Sequence, residues 1–221
     1  TKHNEGPGMT RKYGFEKSVG ELLFFIDSDD WLPDKNVFQN IVAVFNDFEP
    51  DILIFDRIVI KNNQETIITP FSCPIAKGLH SITDMAQSTI RGGLGLKVFI
   101  SQKMKSDYFK AGNNYEDFYT TYYYLDHCQN FYYENNSFYC INRLEENNSL
   151  TKTNGIDKFQ QALYNMIEVY QLSKQLEIKT SISAIMLELY MQYFYDRLHF
   201  HYSKEDLVQI KPNIRQIKEI I

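Results

Sequence analysis

The fold of this chain is decided by the segment Glu21-Leu22-Leu23-Phe24-Phe25-Ile26-Asp27-Ser28-Asp29-Asp30. Its apolar part is long enough for one strand, and an apolar run bounded by polar residues is typical of a strand that is covered on both faces of a sheet. Three carboxylates follow within four positions. In open α/β sheets, ligands bind just beyond the carboxyl ends of such strands. The segment therefore predicts an α/β fold with a binding site at Asp27–Asp30.

The close spacing of these three carboxylates indicates a metal site. Neighbouring carboxylates repel one another, and a hard divalent cation such as Mg²⁺ takes the oxygen ligands that they offer. The alternative is that Asp29 or Asp30 caps a helix that begins near Pro33, since proline is favoured in the first turn of a helix. Capping accounts for one aspartate but not for three, so we favour the metal site.

Composition narrows the class of protein. The chain has 221 residues, 43% of them hydrophobic, and a formal net charge of −5. This apolar content is enough for a core, and the negative charge argues against general nucleic-acid binding. Cys73, Cys128 and Cys140 lack metal-ligand spacing and are typical of the reduced cysteines of a cytoplasmic protein. The sequence has no apolar stretch near the ~20 residues that span a bilayer.

Apolar periodicity and turn residues predict an α/β region, residues 1–153, followed by an all-helical tail, residues 154–221. In the first region we expect helices at 9–19, 34–48, 81–90 and 115–125, strands at 22–26, 51–56 and 97–100, and a hairpin through Asn62-Asn63. Two further strands, Asn130–Tyr133 and Ser137–Ile141, are expected to pair around the turn Glu134–Asn136. The tail is expected to hold helices at 156–176 and 181–200 and two shorter ones after Ser203 and Pro212.

Three polar motifs follow one another in an order that has a known counterpart. They are Asn4-x-Gly6…Arg11-Lys12-Tyr13-Gly14, Gly20-Glu21…Asp27-Ser28-Asp29-Asp30 and Tyr115-Glu116-Asp117. Their order and spacing resemble those of the family-two glycosyltransferases, which have the GT-A fold, a Rossmann-like nucleotide-sugar-binding sheet. The resemblance covers about residues 4–151.

Two departures from the family pattern concern the first motif and the residues before it. Lys12 stands where the family usually has Asn, whereas Arg11 is matched. Family members also begin with a Val/Ile-rich strand well before this motif, and that strand and its successors hold the base and the ribose. The resemblance therefore implies a GT-A-like sheet that is N-terminally incomplete. The residues Thr1–Gly6, which resemble an internal loop, agree with the expectation that the chain is a fragment.

The resemblance also implies roles for the acidic residues. Asp27 would touch the sugar or ribose, and Asp29 would ligate Mn²⁺ or Mg²⁺ bridging the donor diphosphate. Asp30 would support the site from behind or cap the next helix. Asp117 would be the general base that takes the proton of the acceptor hydroxyl, with Glu116 raising its proton affinity. The alternative for this pair is that both residues simply suit a helix N-terminus.

Three basic residues complete the site that the resemblance implies. Arg11 is suited to phosphate or base contact because its planar fork pairs with oxyanions, although it is also compatible with a surface arginine. Lys97 lies in a counterpart of the family's Trp-x-Lys segment, with Gly95 in the Trp position, and would face the diphosphate or the acceptor. Arg143, with Ser149, resembles a basic loop that closes over the donor.

These features together predict a metal-dependent, inverting glycosyltransferase, and the family resemblance implies a role in bacterial surface polysaccharide synthesis. The expected donor is a UDP- or GDP-sugar, and the expected acceptor is a saccharide or a lipid-linked molecule. The tail would serve acceptor binding, peripheral association with the inner face of the membrane, or homodimerisation. One alternative is a nucleotidyltransferase-like metal enzyme, although the chain lacks the Gly-rich phosphate loop expected of it. The other is a non-catalytic interaction protein with a decayed transferase fold.

Overall fold

A mixed six-stranded sheet is the frame of the structure, a computed structural model that describes residues 5–88, 90, 93–111, 116–143, 156–175, 191 and 204–220. The strands are β1 Leu22–Phe24, β2 Ile52–Lys61, β3 Gln64–Ile68, β4 Gly78–Ser81, β5 Lys97–Ile100 and β6 Asn130–Asn142. Their order is β1-β5-β2-β6-β4, and β3 pairs with the second half of β2. Strand β2 is parallel to β6 and antiparallel to β5, which is antiparallel to β1. Strands β1, β2 and β6 therefore point toward the same edge of the sheet.

Strand β2 forms the middle of the core. Ile52 and Ile54 belong to one hydrophobic cluster, whereas Leu53 and Phe55 belong to the cluster on the other side of the sheet. All four side chains are fully buried. Because successive side chains of a strand point to opposite faces, an unbroken apolar run requires a sheet that is covered on both sides. Strand β2 meets this requirement.

Helices cover both faces of the sheet. They are α1 Pro7–Lys17, α2 Val37–Phe48, α3 Glu116–Leu125, α4 Ile156–Gln175, α5 Lys204–Gln209 and α6 Lys211–Ile220. Helix α2 buries Val37, Ile41 and Val44, one helical face, against the cluster of Leu53 and Phe55. Helices α3 and α4 contribute to the opposite cluster, so the described part of the predicted tail packs on the α/β region. Among the described helices, none is long and apolar enough to cross a membrane.

The largest correction to the predicted elements concerns β6. The sequence pattern predicted two paired strands around Glu134–Asn136, but the structure has one strand that runs parallel to β2. The polar residues form a bulge, since Phe55 pairs with Glu134 whereas the next residue of β2, Asp56, pairs with Ser137. Glu134 is buried and forms an ion pair with Lys77 (2.8 Å). The exposed ammonium of Lys77 compensates the buried carboxylate of Glu134, while Asn135 and Asn136 of the bulge are exposed.

Smaller corrections concern β1 and the helix ends. Within the described sheet β1 pairs with β5 alone, and Leu22 and Phe24 are only half-buried, so the strand is less covered than predicted. The helix expected at 34–48 begins at Val37, and the one expected at 81–90 is a 3-10 helix, Ile82–Gln87, which begins with a capping box of Ser81 and Asp84. The predicted hairpin is confirmed. The helix predicted at 181–200 falls, apart from residue 191, outside the described residues.

Two glycines of α1 allow a matched test of how closely this helix packs against its neighbours. At Gly8 a Cβ would collide with the backbone carbonyl of Lys110 and the side chain of Glu116, whereas at Gly14 it would meet nothing within 4 Å. We expect Gly8→Ala to lower the free energy of unfolding by ~1–3 kcal/mol through overpacking. Gly14→Ala should leave it unchanged or raise it by up to ~1 kcal/mol, because alanine favours helix. Urea unfolding of both variants measures these free energies, and equal changes would contradict the close packing of α1 at Gly8.

Candidate donor and catalytic site

The residues Asp27–Asp30, here called the acidic turn, leave the sheet at the end of β1. The turn is closed by the Asp30 N–H, which donates to the Asp27 carbonyl (3.1 Å). Directly after it, Trp31 and Cys140 of β6 exchange two backbone hydrogen bonds (3.2 and 2.8 Å). Strand β6 therefore holds the chain that leads away from the turn.

Asp30 fastens the acidic turn to β6. Its carboxylate accepts a hydrogen bond from the Asn142 N–H (3.0 Å) and another from the Tyr139 hydroxyl. Burial raises the pKa of Asp30, and these two hydrogen bonds oppose the rise. The predicted alternative, a helix cap, is wrong, because α2 begins at Val37 and its N-cap position, Asn36, has no side-chain cap.

Arg11 connects the acidic turn with the start of α3. Its guanidinium forms an ion pair with Asp27 (2.8 Å) and a second one with Glu116. The Arg11 side chain is only 17% exposed, so the reading as an ordinary surface arginine is wrong. Burial alone would lower the pKa of Arg11, but the carboxylates of Asp27, Glu116 and Asp117 raise it. Arg11 thus stays charged, and its contact with a donor phosphate stays a prediction.

Glu116 and Asp117 occupy the first turn of α3, as the sequence predicted. Burial raises the pKa of Asp117, while the charges of Arg11 and Lys97 and the N–H of Phe118 oppose the rise. Burial is thus the main cause of the rise, in place of the influence that was expected of Glu116. The pKa of Glu116 is itself raised, first by burial and then by Asp117. A carboxylate with a raised pKa beside a positive charge suits a general base, and the helix-start reading also holds, since Asp117 binds helix N–H groups.

Lys97 lies inside the protein at the start of β5. Its side chain is fully buried, its backbone is in register with Ile54, and its ammonium donates to the Gly93 carbonyl (2.8 Å). The pKa of Lys97 is lowered to about 7, mainly by burial. The charge of Asp117 opposes this fall and the charge of Arg57 adds to it. The structure thus brings Lys97 near Asp117. Its predicted contact with a donor or acceptor stays a prediction.

Arg143 follows β6, directly after Asn142, whose N–H binds the acidic turn. Its N–H donates to the Ile60 carbonyl (2.8 Å), and the preceding residue, Asn142, donates to Asp30. The rest of the loop that was predicted to close over a donor, including Ser149, lies outside the described residues. The donor-binding role of Arg143 therefore stays a prediction.

One residue of the site was missed by sequence reasoning. The hydroxyl of Tyr139 accepts a hydrogen bond from the Asp27 N–H (2.9 Å) and donates one to the Asp30 carboxylate. Tyr139 is one of 16 tyrosines, and its position in an apolar strand is typical of a core residue. The sequence held no signal that would have distinguished it.

The chemistry of the acidic turn fits a divalent cation that is shared with a ligand. Asp29 is exposed and makes no hydrogen bond or ion pair with the described residues. In the described part of the chain, His, Cys, Asp and Glu side chains form no group of three that could hold a metal ion by themselves. Mg²⁺ in nucleotide sites is usually held by one or two carboxylates together with phosphates and water. The role of Asp29 as a metal ligand in such an arrangement stays a prediction.

Comparisons with known proteins agree with the motif and the fold. Residues 1–93 match the family model of glycosyl transferase family 2, which confirms the predicted resemblance for that part of the chain. The matched segment contains Arg11 and the acidic turn, whereas Asp117 lies beyond it. The search of curated proteins found no match.

A solved structure resembles almost the whole chain. The crystal structure of S. aureus TarS 1-349 superposes with a TM-score of 0.67 at 12% sequence identity. The match covers 98% of this chain and 60% of the TarS chain. At this level of identity the likeness concerns the fold, and it confirms the predicted GT-A-like α/β sheet.

The buried ammonium of Lys97 predicts a pH-dependent stability. Its pKa is about 7 in the folded chain and ordinarily 10.5, so between these values the unfolded chain binds more protons and the free energy of unfolding rises with pH. Lys97→Met removes this contribution. Between about pH 7.5 and about pH 9.5, the free energy of unfolding of the unaltered chain should rise by ~2 kcal/mol more than that of the variant. Urea unfolding at both pH values measures the difference.

The control for this experiment is Lys35→Met, a change at an exposed lysine. It alters the net charge by the same amount without touching a buried ammonium. If the pH dependence of Lys97→Met equals that of the control, Lys97 is not buried as a titrating group.

Proposed function

We propose that this chain is a metal-dependent, inverting glycosyltransferase that moves a sugar from a nucleotide-sugar donor to a hydroxyl acceptor. The observation that carries the proposal is the position of Arg11, whose guanidinium pairs with Asp27 of the acidic turn and with Glu116, the neighbour of Asp117. The family match of residues 1–93 supports it. Arg11 is therefore paired with one donor-side carboxylate, Asp27, and its charge also acts on the proposed base, Asp117. A single-displacement reaction needs both at one place.

On the donor side, Asp29 would hold Mn²⁺ or Mg²⁺ together with the donor diphosphate. The bound cation would neutralise the charge that develops on the leaving nucleoside diphosphate. Asp27 would face the sugar or ribose, and its ion pair with Arg11 keeps its carboxylate in one orientation (2.8 Å). Asp30 keeps the turn in place through its hydrogen bond with Asn142 (3.0 Å). A fixed geometry of this kind lowers the entropy cost of reaching the transition state.

On the acceptor side, Asp117 would be the general base. The acceptor hydroxyl loses its proton to Asp117 while its oxygen forms a bond with the anomeric carbon. The bond between that carbon and the diphosphate oxygen breaks on the opposite side, so the configuration inverts. A raised pKa makes Asp117 a stronger base, and the charges of Arg11 and Lys97 oppose the rise.

The finer identity of the substrates follows the family resemblance. We propose a UDP- or GDP-sugar as the donor and a saccharide or lipid-linked acceptor in bacterial surface polysaccharide synthesis. The chain spans 60% of the length of the TarS structure that it matches, and the substrates of the whole protein are therefore proposals. The exposed carboxylate of Asp29 suits a diphosphate donor, because a cation held there would offset part of the negative charge of the phosphate groups.

Replacement of Asp29 tests the metal assignment. Asp29→Asn should weaken the Mn²⁺-dependent binding of UDP or GDP by ~10-fold or more, because an amide is a poorer ligand than a carboxylate for a hard cation. Calorimetry with and without Mn²⁺ measures this. Asp47→Asn, the same change at an exposed carboxylate on α2, is the control and should leave the affinity unaltered. Equal affinities of Asp29→Asn and the unaltered chain would rule out Asp29 as a metal ligand.

Replacement of Asp117 tests the base. Asp117→Asn keeps the size of the side chain but cannot take up the proton, so the rate of sugar transfer should fall ~10²–10⁴-fold. The affinity for donor nucleotide and Mn²⁺ should stay within a few-fold, because the base acts on the acceptor. Asp107→Asn, at an exposed carboxylate, serves as the control. A transfer rate close to that of the unaltered chain would mean that Glu116 and Asp117 only begin a helix.

A further inference from the structure

Tyr139 is a buried residue of β6 that reaches both flanks of the acidic turn. Its side chain lies in the core, with the residue only 1% exposed. Its hydroxyl accepts a hydrogen bond from the Asp27 N–H (2.9 Å) and donates one to the Asp30 carboxylate. A single hydroxyl therefore binds the first and the last residue of the turn.

The ring of Tyr139 is held in place by its neighbours. A Cβ on Gly95 would lie 2.8 Å from the ring carbon Cζ and 3.0 Å from the hydroxyl oxygen, so the ring packs directly against the Gly95 backbone. The ring of Phe24 packs nearby, with the two ring centres 6.0 Å apart. Any side chain at residue 95 would displace the atoms of Tyr139 that make the hydrogen bonds.

The position of Asp29 depends on these contacts. Its own carboxylate makes no hydrogen bond or ion pair with the described residues, so its place is set by the residues on either side. On one side the Asp27 N–H is bound by the Tyr139 hydroxyl, and on the other the Asp30 carboxylate is bound by Tyr139 and by Asn142. If the hydroxyl is lost, both flanks lose a hydrogen bond together.

We propose that Tyr139 is a positioning residue for the acidic turn, and that Gly95 supplies the space that keeps its hydroxyl in place. The inference rests on the proposed function, because the turn needs a fixed geometry only if it binds a diphosphate and its cation. Tyr139 touches neither the sugar nor the cation in this account. It acts through the backbone of Asp27 and the side chain of Asp30.

A second buried tyrosine provides a matched control. The hydroxyl of Tyr124 also accepts from a backbone N–H, that of Ile100 (2.9 Å), and donates to an oxygen, the Asp51 carbonyl (3.0 Å). Tyr124 lies on α3 and is fully buried, and its hydroxyl bonds to β5 and to Asp51, the residue before β2. Tyr124→Phe and Tyr139→Phe thus each remove a buried hydroxyl that accepts from a backbone N–H and donates to an oxygen, and only the second change affects the acidic turn.

The first measurement is amide hydrogen exchange, which does not depend on any ligand. In Tyr139→Phe the Asp27 amide should exchange about tenfold faster, the size expected for the loss of one hydrogen bond, while the Ile100 amide keeps its rate. In Tyr124→Phe the pattern should reverse. Unchanged exchange at Asp27 in Tyr139→Phe would overturn the proposal.

The second measurement is calorimetric binding of UDP and GDP in the presence of Mn²⁺. Tyr139→Phe should weaken binding about tenfold, whereas Tyr124→Phe should change it less than twofold even if both variants lose similar stability. Gly95→Ala should weaken binding as Tyr139→Phe does, and the double variant should bind about as weakly as either single one, because both changes remove the same contact.

The outcomes separate the inference from the proposed function. Equal losses of affinity in Tyr139→Phe and Tyr124→Phe, or losses of Gly95→Ala and Tyr139→Phe that multiply, would overturn the positioning role. If the unaltered chain binds neither diphosphate, the proposed function fails. The exchange rates at Asp27 and Ile100 alone then decide whether Tyr139 holds the turn.

Discussion

The paired contact of Arg11 with Asp27 and Glu116 is the interaction on which the candidate site depends. The acidic turn and the start of α3 together bring several carboxylates close to one another, and like charges at short range are unfavourable without a cation. Arg11 supplies that cation from a third element, α1. Buried ion pairs contribute little net stability, since desolvation offsets the attraction, but removal of one partner leaves the others uncompensated. The contact therefore sets the arrangement of the three elements more than it stabilises the fold.

The contact of Arg11 also depends on how closely the backbone of α1 packs against the rest of the protein. Gly8 allows the helix to approach Lys110 and Glu116 more closely than any residue with a Cβ could. One helical turn later, Arg11 forms its ion pairs with Asp27 and Glu116. Close packing at Gly8 and charge pairing at Arg11 thus act on the same helix, and each depends on the other being in place.

Strand β6 combines two structural roles that are usually separate. Its side chains fill the core next to β2. The Tyr139 hydroxyl and the backbone of Cys140 and Asn142 hold the acidic turn and the residue after it. An exposed turn with three carboxylates would otherwise sample many conformations. By placing the anchor on a buried strand, the fold gives the turn the rigidity that a binding site requires, while Asp29 stays exposed.

Some of this could be predicted from the sequence, because it depends on neighbours in the chain. The apolar run of β2, the Asn62-Asn63 hairpin and the order of the acidic motifs are local patterns, and the two asparagines adopt the positive φ angles (50° and 60°) that such a turn needs. The rest depends on residues far apart. Arg11 meets Glu116 across 105 residues and Tyr139 meets Asp27 across 112, and Lys97 is buried only because the strands and helices around it close over it. No spacing along the chain encodes these contacts, since they form only when the sheet and its helices pack.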